Sequence, residues 1–442
     1  MSMSQQSTDN VTFFVKPGGR LQGKARVPGD KSISHRSIML GALAEGKTRI
    51  TGFLQGEDSL ATLKAFQAMG VTIDGPDNGQ VTVTGVGMHG LKQPEDNLYL
   101  GNSGTSMRLM CGLLAGQSFN TVLTGDTSLS GRPMRRVIDP LKNMRAEINA
   151  TDSSTAPLQI TGKQSLKGID YVLPVASAQV KSCLLLAGLY ADGQTCVTEP
   201  APTRDHTERM LQGFGYQLER QGARVCLSGG GRLKATDIDI PADISSAAFF
   251  MVAASIAPDS DITLEHVGIN PTRTGVIDIL KLMGADIEVL NQREVGGEPV
   301  ADIRIQSSPL KGINIPEELV PLAIDEFPVL FVAASCAQGK TVLTGARELR
   351  VKESDRIQVM ADGLVTLGIQ NEVTEDGIII DGGQFQGGTV MSHGDHRISM
   401  SFAVAALRCQ QEVIIEDCAN VDTSFPGFVE LAQGLGLSIS TK

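Results

Sequence analysis

"DKSISHRSIMLGALAEGKTRITG" (residues 30–52) begins with a polar cluster, runs through a helix that is apolar on almost every side, and ends in a strand-like alternation. Asp30 is an acceptable N-cap, and Pro28 and Gly29 precede it. Lys31 and Arg36 then put cations in the first turns, where positive charge opposes the helix dipole unless an anion sits there. A second helix follows, "SLATLKAFQAMG", whose Leu60, Leu63 and Phe66 spacing leaves one face wet. Two alternating runs, "VTIDG" and "VTVTG", turn back on each other as a hairpin.

That order recurs along the chain. The polar helix starts are Asp30, Asn102 in "GNSGTSMRLMCGLLAG", Ser177 in "SAQVKSCLLLAG", Asp243 in "DISSAAFFMVAASI", Asp325 in "DEFPVLFVAASCAQG" and Asp395 in "DHRISMSFAVAALR", 66 to 82 residues apart. Each unit reads strand, helix, strand, helix, strand, strand. The sixth has only one of its final strands, and "VTFFVKP" near the N-terminus is a spare one, so both ends of the chain are expected in one sheet. The fold class is therefore α/β, two domains of three βαβαββ units each. One domain is contiguous, residues 24–241; the other is discontinuous, residues 1–23 plus 242–442.

A formal charge of −11 without any basic tract argues against nucleic acid and anionic membranes as partners. The absence of Trp and the few aromatic residues argue equally against base stacking. No apolar run reaches the ~20 residues of a membrane span, and "MSMSQQSTDN" has no apolar segment of a targeting signal. Seven scattered cysteines without a CxxC pair read as free thiols of a cytoplasmic protein, with no zinc site.

In such an acidic chain the cations at the helix starts imply a local anion site. Lys31, Ser32 and Arg36 stand at the first; Asn102, Gly104 and Arg108 at the second; Ser177 and Gln179 at the third. Asp325 and Glu326 open the fifth, and Asp395, His396 and Arg397 the sixth. The loops "TSLSGRPMRR" and "RELRVKESDR" add Arg132, Arg350, Lys352, Glu353 and Arg356. Asp325 and Glu353 among these cations imply proton transfer on a polyanionic substrate. His35 and His396 are further candidates, as is Arg204 in "TRDHTERM". Lys47 and Lys340 follow the buried helices rather than precede them and read as turn residues.

"PGDKSISHRS", "GNSGTSMR", "SLSGRPM", "ASAQVKSCLL", "RVKESDR" and "GDHRISM" together, in this order, resemble the 3-phosphoshikimate 1-carboxyvinyltransferase (5-enolpyruvylshikimate-3-phosphate synthase) family over about residues 13 to 437. The resemblance implies the enolpyruvyl-transferase fold, with helices inside and two domains that close like a clamp. It implies transfer of the enolpyruvyl group of phosphoenolpyruvate to the 5-hydroxyl of shikimate 3-phosphate, without metal or organic cofactor; a monomer is expected. By the same resemblance Ser32, Arg36, Ser177, Ala178, Gln179, Arg204 and Lys352 meet shikimate 3-phosphate. Asn102, Gly104, Arg132, Arg356 and Arg397 meet phosphoenolpyruvate, Lys31 lies between the two, Asp325 is the base for the 5-hydroxyl, and Glu353 is the acid and base at the methylene carbon.

Three positions depart from the family's better-studied branch: Thr423 stands where that branch has Lys, Leu109 where it has Pro, and Glu348 where it has Asn. "SAQ", "TRDHTE" and "TSFP" resemble its second branch instead. Gly104 lacks the Ala change of resistant members, which implies sensitivity to glyphosate. The alternative, an enolpyruvyl transferase acting on UDP-N-acetylglucosamine, would use a loop Cys that "GDTSLSGRPMRR" does not have.

Overall fold

The computed structural model describes residues 11–442; the opening polar stretch, residues 1–10, lies outside them. The chain divides into two compact units. One is Gly29–Pro241 with Glu294–Glu298; the other is Met1–Pro28, Ala242–Arg293 and Pro299–Lys442. Each unit has its own apolar core.

Each core is built on three buried helices. In the first unit these are Lys31–Leu43, Gly104–Ala115 and Ala178–Gly188, the middle one packing on both others. In the second they are Ile244–Ile256, Phe327–Cys336 and His396–Ala405, all in mutual contact. Every residue of Ile244–Ile256 is buried, as its uninterrupted apolar run requires. Phe250, Phe425 and Phe428 meet edge-on or tilted, with ring centroids 5.3 to 6.0 Å apart, and each aromatic ring so buried contributes roughly 1.5–3 kcal/mol. Five of these six helices start with a side-chain oxygen accepting from an early backbone N–H: Asp30, Ser103, Ser177, Asp243 and Asp395.

Six small sheets surround the helices and repeat one pattern. In the unit of Ala178–Gly188, strand Asp170–Val172 runs parallel to Gln194–Thr198, which pairs antiparallel with Arg224–Ser228, which in turn pairs with Glu219–Gln221. In the last sheet the place of the fourth strand is taken by Phe13–Val15, antiparallel to both Val413–Glu416 and Ile439–Thr441. The two chain ends thus share a sheet.

Three expectations are corrected. The strand just before Asp30, Gln22–Ala25, pairs parallel with Asp261–Gly268, while Leu233–Lys234 and Ile238–Asp239 pair with Ala44–Thr51. The boundary expected at residue 24 therefore falls between Pro28 and Gly29, and the hairpin tip Glu294–Glu298 goes with the contiguous unit. Cys196 and Cys226 stand opposite each other on antiparallel strands with Cα atoms 4.1 Å apart and form a disulfide, so five cysteines rather than seven are free. Lys47 lies within strand Ala44–Thr51 and Lys340 opens strand Lys340–Leu343, so neither is a turn residue.

Candidate active site

In the contiguous unit the polar helix starts carry a linked set of cations and hydroxyls. Lys31 Nζ lies 3.0 Å from Asp58 Oδ2, so a carboxylate on the neighbouring helix Glu57–Ala68 meets the cation that opposes the first helix dipole. Arg36 is buried; its Nε donates to Thr207 Oγ1 at 2.6 Å, and its terminal nitrogens donate to the Ser32 carbonyl at 2.9 Å and to Ser182 Oγ at 2.8 Å. One N–H on each terminal nitrogen is left for an anion, in fork geometry. Burial, with Arg204 adding to it, pulls the Arg36 pKa down to about 10 against the opposing pull of Glu208 and Asp30. Arg204 is half-buried in the loop before helix His206–Gly213.

His35 does not fit the catalytic reading. It is fully buried with Nδ1 2.8 Å from Thr62 Oγ1, and burial, then Lys31 and Arg36, hold its pKa well below the ordinary value. A neutral imidazole locked between helices serves packing rather than proton transfer.

At the second helix start, Arg132 donates to Asn102 twice, to Oδ1 at 2.5 Å and to the carbonyl at 3.2 Å. Asn102 in turn donates to Asp126 Oδ2 at 2.7 Å. Arg108 donates to Gln179 Oε1 at 2.6 Å, and Gln179 Nε2 to Thr105 Oγ1 at 3.0 Å, which joins the second helix start to the third beside Ser177 and Ala178. Gly104 lies beneath both guanidiniums: a Cβ there would come 3.0 Å from Arg108 and 3.1 Å from Arg132.

In the discontinuous unit the candidate residues gather on Arg356, which is 1% exposed. Its guanidinium donates to Asp395 Oδ2 at 2.8 Å and Oδ1 at 3.3 Å, to Glu353 Oε2 at 2.5 Å and to Asp325 Oδ1 at 3.3 Å. Lys352 Nζ lies 3.3 Å from the same Asp325 oxygen, and Arg397 donates to the Asp325 carbonyl at 2.9 Å. Burial works against the charge of Arg356, but Asp395, Glu353 and Asp325 outweigh it and raise its pKa. Burial also pushes the Asp395 carboxyl up, yet Arg356 overrides it and leaves the pKa below the usual aspartate range. His396 is buried next to this carboxylate.

Arg350 belongs to a different set of contacts. It donates to Asp355 Oδ2 at 2.6 Å and to the carbonyls of Thr374 and Glu375, so it ties a loop down. Thr423, where one branch of the resembled family carries Lys, is buried and donates to the Asn420 carbonyl at 2.6 Å. The roles of Asp58, Asp126 and Asp395 escaped the sequence reading. Only Asp395 had a signal, its N-cap position in "GDHR".

The arrangement can therefore hold anions on Arg36, Arg108 and Arg132, and can pass protons through Asp325 and Glu353, which share one guanidinium. No helix among the described residues is long and apolar enough to cross a membrane. The chain matches the family model of EPSP synthase (3-phosphoshikimate 1-carboxyvinyltransferase) over residues 15–431. A 3-phosphoshikimate 1-carboxyvinyltransferase of Alkalilimnicola ehrlichii is 71% identical over 97% of both chains, and that of Methylococcus capsulatus is 69% identical over 97% of this chain and 98% of its own. A solved EPSP synthase structure from Acinetobacter baumannii is 60% identical, with a TM-score of 0.89, over 98% of this chain and all of that one.

Proposed function

The chain belongs to the EPSP synthase family, and from that premise we propose how its two clusters divide the work. The enzyme is a transferase: it moves the enolpyruvyl group of phosphoenolpyruvate to the 5-hydroxyl of shikimate 3-phosphate and releases phosphate, a step of the shikimate pathway. Both substrates are small polyanions, and their charges call for the guanidiniums and ammoniums described above.

Shikimate 3-phosphate takes Ser32, Arg36, Ser177, Ala178, Gln179, Arg204 and Lys352; phosphoenolpyruvate takes Asn102, Gly104, Arg132, Arg356 and Arg397; Lys31 screens both. In the first half-reaction the 5-hydroxyl oxygen bonds to C2 of phosphoenolpyruvate. Its proton passes to Asp325 while C3 takes a proton from Glu353, giving a tetrahedral adduct. In the second, Glu353 removes a proton from the new methyl group, the double bond re-forms and the C2–O bond to phosphate breaks. The observation that carries this assignment is Arg356, which holds Asp325 and Glu353 on one guanidinium, with Lys352 also on Asp325.

The test is phosphate release from phosphoenolpyruvate with and without shikimate 3-phosphate. Release that needs both is expected; release with UDP-N-acetylglucosamine as acceptor would overturn the reading. The protein is further read as a cytoplasmic monomer. Five free thiols fit that compartment, whereas the Cys196–Cys226 disulfide runs against it.

Gly104→Ala gives a second expectation. A methyl group 3.0 and 3.1 Å from two guanidiniums must displace them, so KM for phosphoenolpyruvate should rise about tenfold with kcat nearly unchanged. Glyphosate, competing at the same place in the wild type, should lose potency. Initial-rate kinetics with each ligand varied check both, and an unaltered KM would mean that this helix start does not meet the donor substrate.

A further inference from the structure

Ser182 and Thr207 cradle Arg36, and the residues next to them in the chain also face each other. Lys181 is wholly buried on helix Ala178–Gly188, with Nζ 2.7 Å from Glu208 Oε1 and 2.8 Å from Glu199 Oε1. Thr203 donates to the other oxygen of Glu199. Thr207 donates to Ser182 Oγ at 2.7 Å, and both oxygens accept from Arg36. Helices Ala178–Gly188 and His206–Gly213 are thus joined by two adjacent rungs, Ser182 with Thr207 and Lys181 with Glu208.

An ammonium with no exposed surface is costly unless carboxylates meet it, and a hydrophobic pair of the same shape would close this core as well or better. Its retention calls for a reason other than stability. Lys181, Glu199 and Glu208 together carry one excess negative charge, next to the buried guanidinium of Arg36. Burial works against the charge of Arg36, and Glu208 leads the groups that sustain it.

We propose that Lys181 and Glu208 are positioning residues for the acceptor substrate: their ion pair fixes the Ser182–Thr207 cradle, so that the two remaining N–H groups of Arg36 point as a fork at an anionic group. This rests on the reading that Arg36 holds shikimate 3-phosphate. A hydroxyl pair alone is a weak hinge, whereas the ion pair one residue away, made without hydrogen-bond alignment on either Glu208 oxygen, holds the two helices at a set distance. The acceptor therefore depends on two side chains that do not touch it.

Glu208→Gln, which leaves Lys181 paired with Glu199, is the first variant. Its KM for shikimate 3-phosphate is expected to rise about tenfold, the size of one charge-assisted hydrogen bond, with kcat and KM for phosphoenolpyruvate within about twofold of wild type. In an Arg36→Lys background the same substitution should change KM by no more than about twofold, because the interaction it acts through is already gone. Circular dichroism at the assay temperature establishes that the variants are folded. Should the glutamine variant not fold, Glu208→Asp, which keeps the charge and shortens its reach, is read by the same criteria. An unchanged KM in a folded variant, or an effect that simply adds to that of Arg36→Lys, would reduce the pair to a structural one. Arg36→Ala with an unchanged KM would instead remove the assignment of Arg36, and the proposal with it.

Discussion

Glu353→Gln is expected to lower kcat by about 10²- to 10⁴-fold, the usual worth of a positioned proton-transfer group, while both substrates still bind. Glutamine keeps the shape and one oxygen, so it can still accept from Arg356, which lies 2.5 Å from the native carboxylate. It can neither give a proton to C3 nor take one back. Both half-reactions depend on that exchange, so the adduct should neither form nor collapse at a useful rate. Rapid-quench single-turnover assays and equilibrium binding of each substrate measure the two effects separately. If KM values rise with kcat intact, Glu353 is only a partner of Arg356, and proton transfer belongs elsewhere.

Glu353 stands out as a candidate in sequence because it lies among cations in a short, unusual string, whereas Asp325 in "AIDEFPV" has no cation beside it and is marked only by its helix start and the family resemblance. "RVKESDR" also carries, within five residues, Lys352 and Arg356, both of which pair with the Asp325 carboxylate. The repeat was legible for a similar reason. The contrast between a polar start and a helix apolar all round is a local property, and it occurs six times. Pairing across distance was not legible. Nothing in the short polar run "QGKA" says whether strand Gln22–Ala25 has Ala44–Thr51 or Asp261–Gly268 as its neighbour. Cys196 and Cys226 lie 30 residues apart without a spacing signal, and only the register of two strands brings them together. Asp395 and Arg356 are likewise 39 positions apart, and the capping role of Asp395 hid its second role as the main counter-ion of the cluster.

That second role leads to the largest stability effect expected in the molecule. Arg356→Met should destabilise its unit by about 3–5 kcal/mol at neutral pH, because it leaves Asp395, with no exposed surface, beside Glu353 and Asp325 without their shared cation. The pH dependence should also change sign. In the wild type, burial raises the Asp395 pKa but Arg356 more than offsets it, helped by His396 and opposed by Glu353, so the folded value lies below the unfolded one of about 3.9. The stabilisation is then complete above that value and is lost only as pH falls through the folded pKa. Without Arg356 burial prevails, the folded pKa moves above 3.9, and stability is lost as pH rises from about 4 toward 7. Ser354, which donates to Asp395 at 3.0 Å, supplies a dipole but no charge, so it does not restore the original sign. The difference in Tm between variant and wild type, measured from pH 4 to 7.5, should widen with rising pH; the wild-type curve itself falls toward pH 4, because unfolded His35 takes up a proton that the buried ring does not. Parallel curves would mean that another cation reaches Asp395, and that Arg356 is not what keeps its carboxylate ionised.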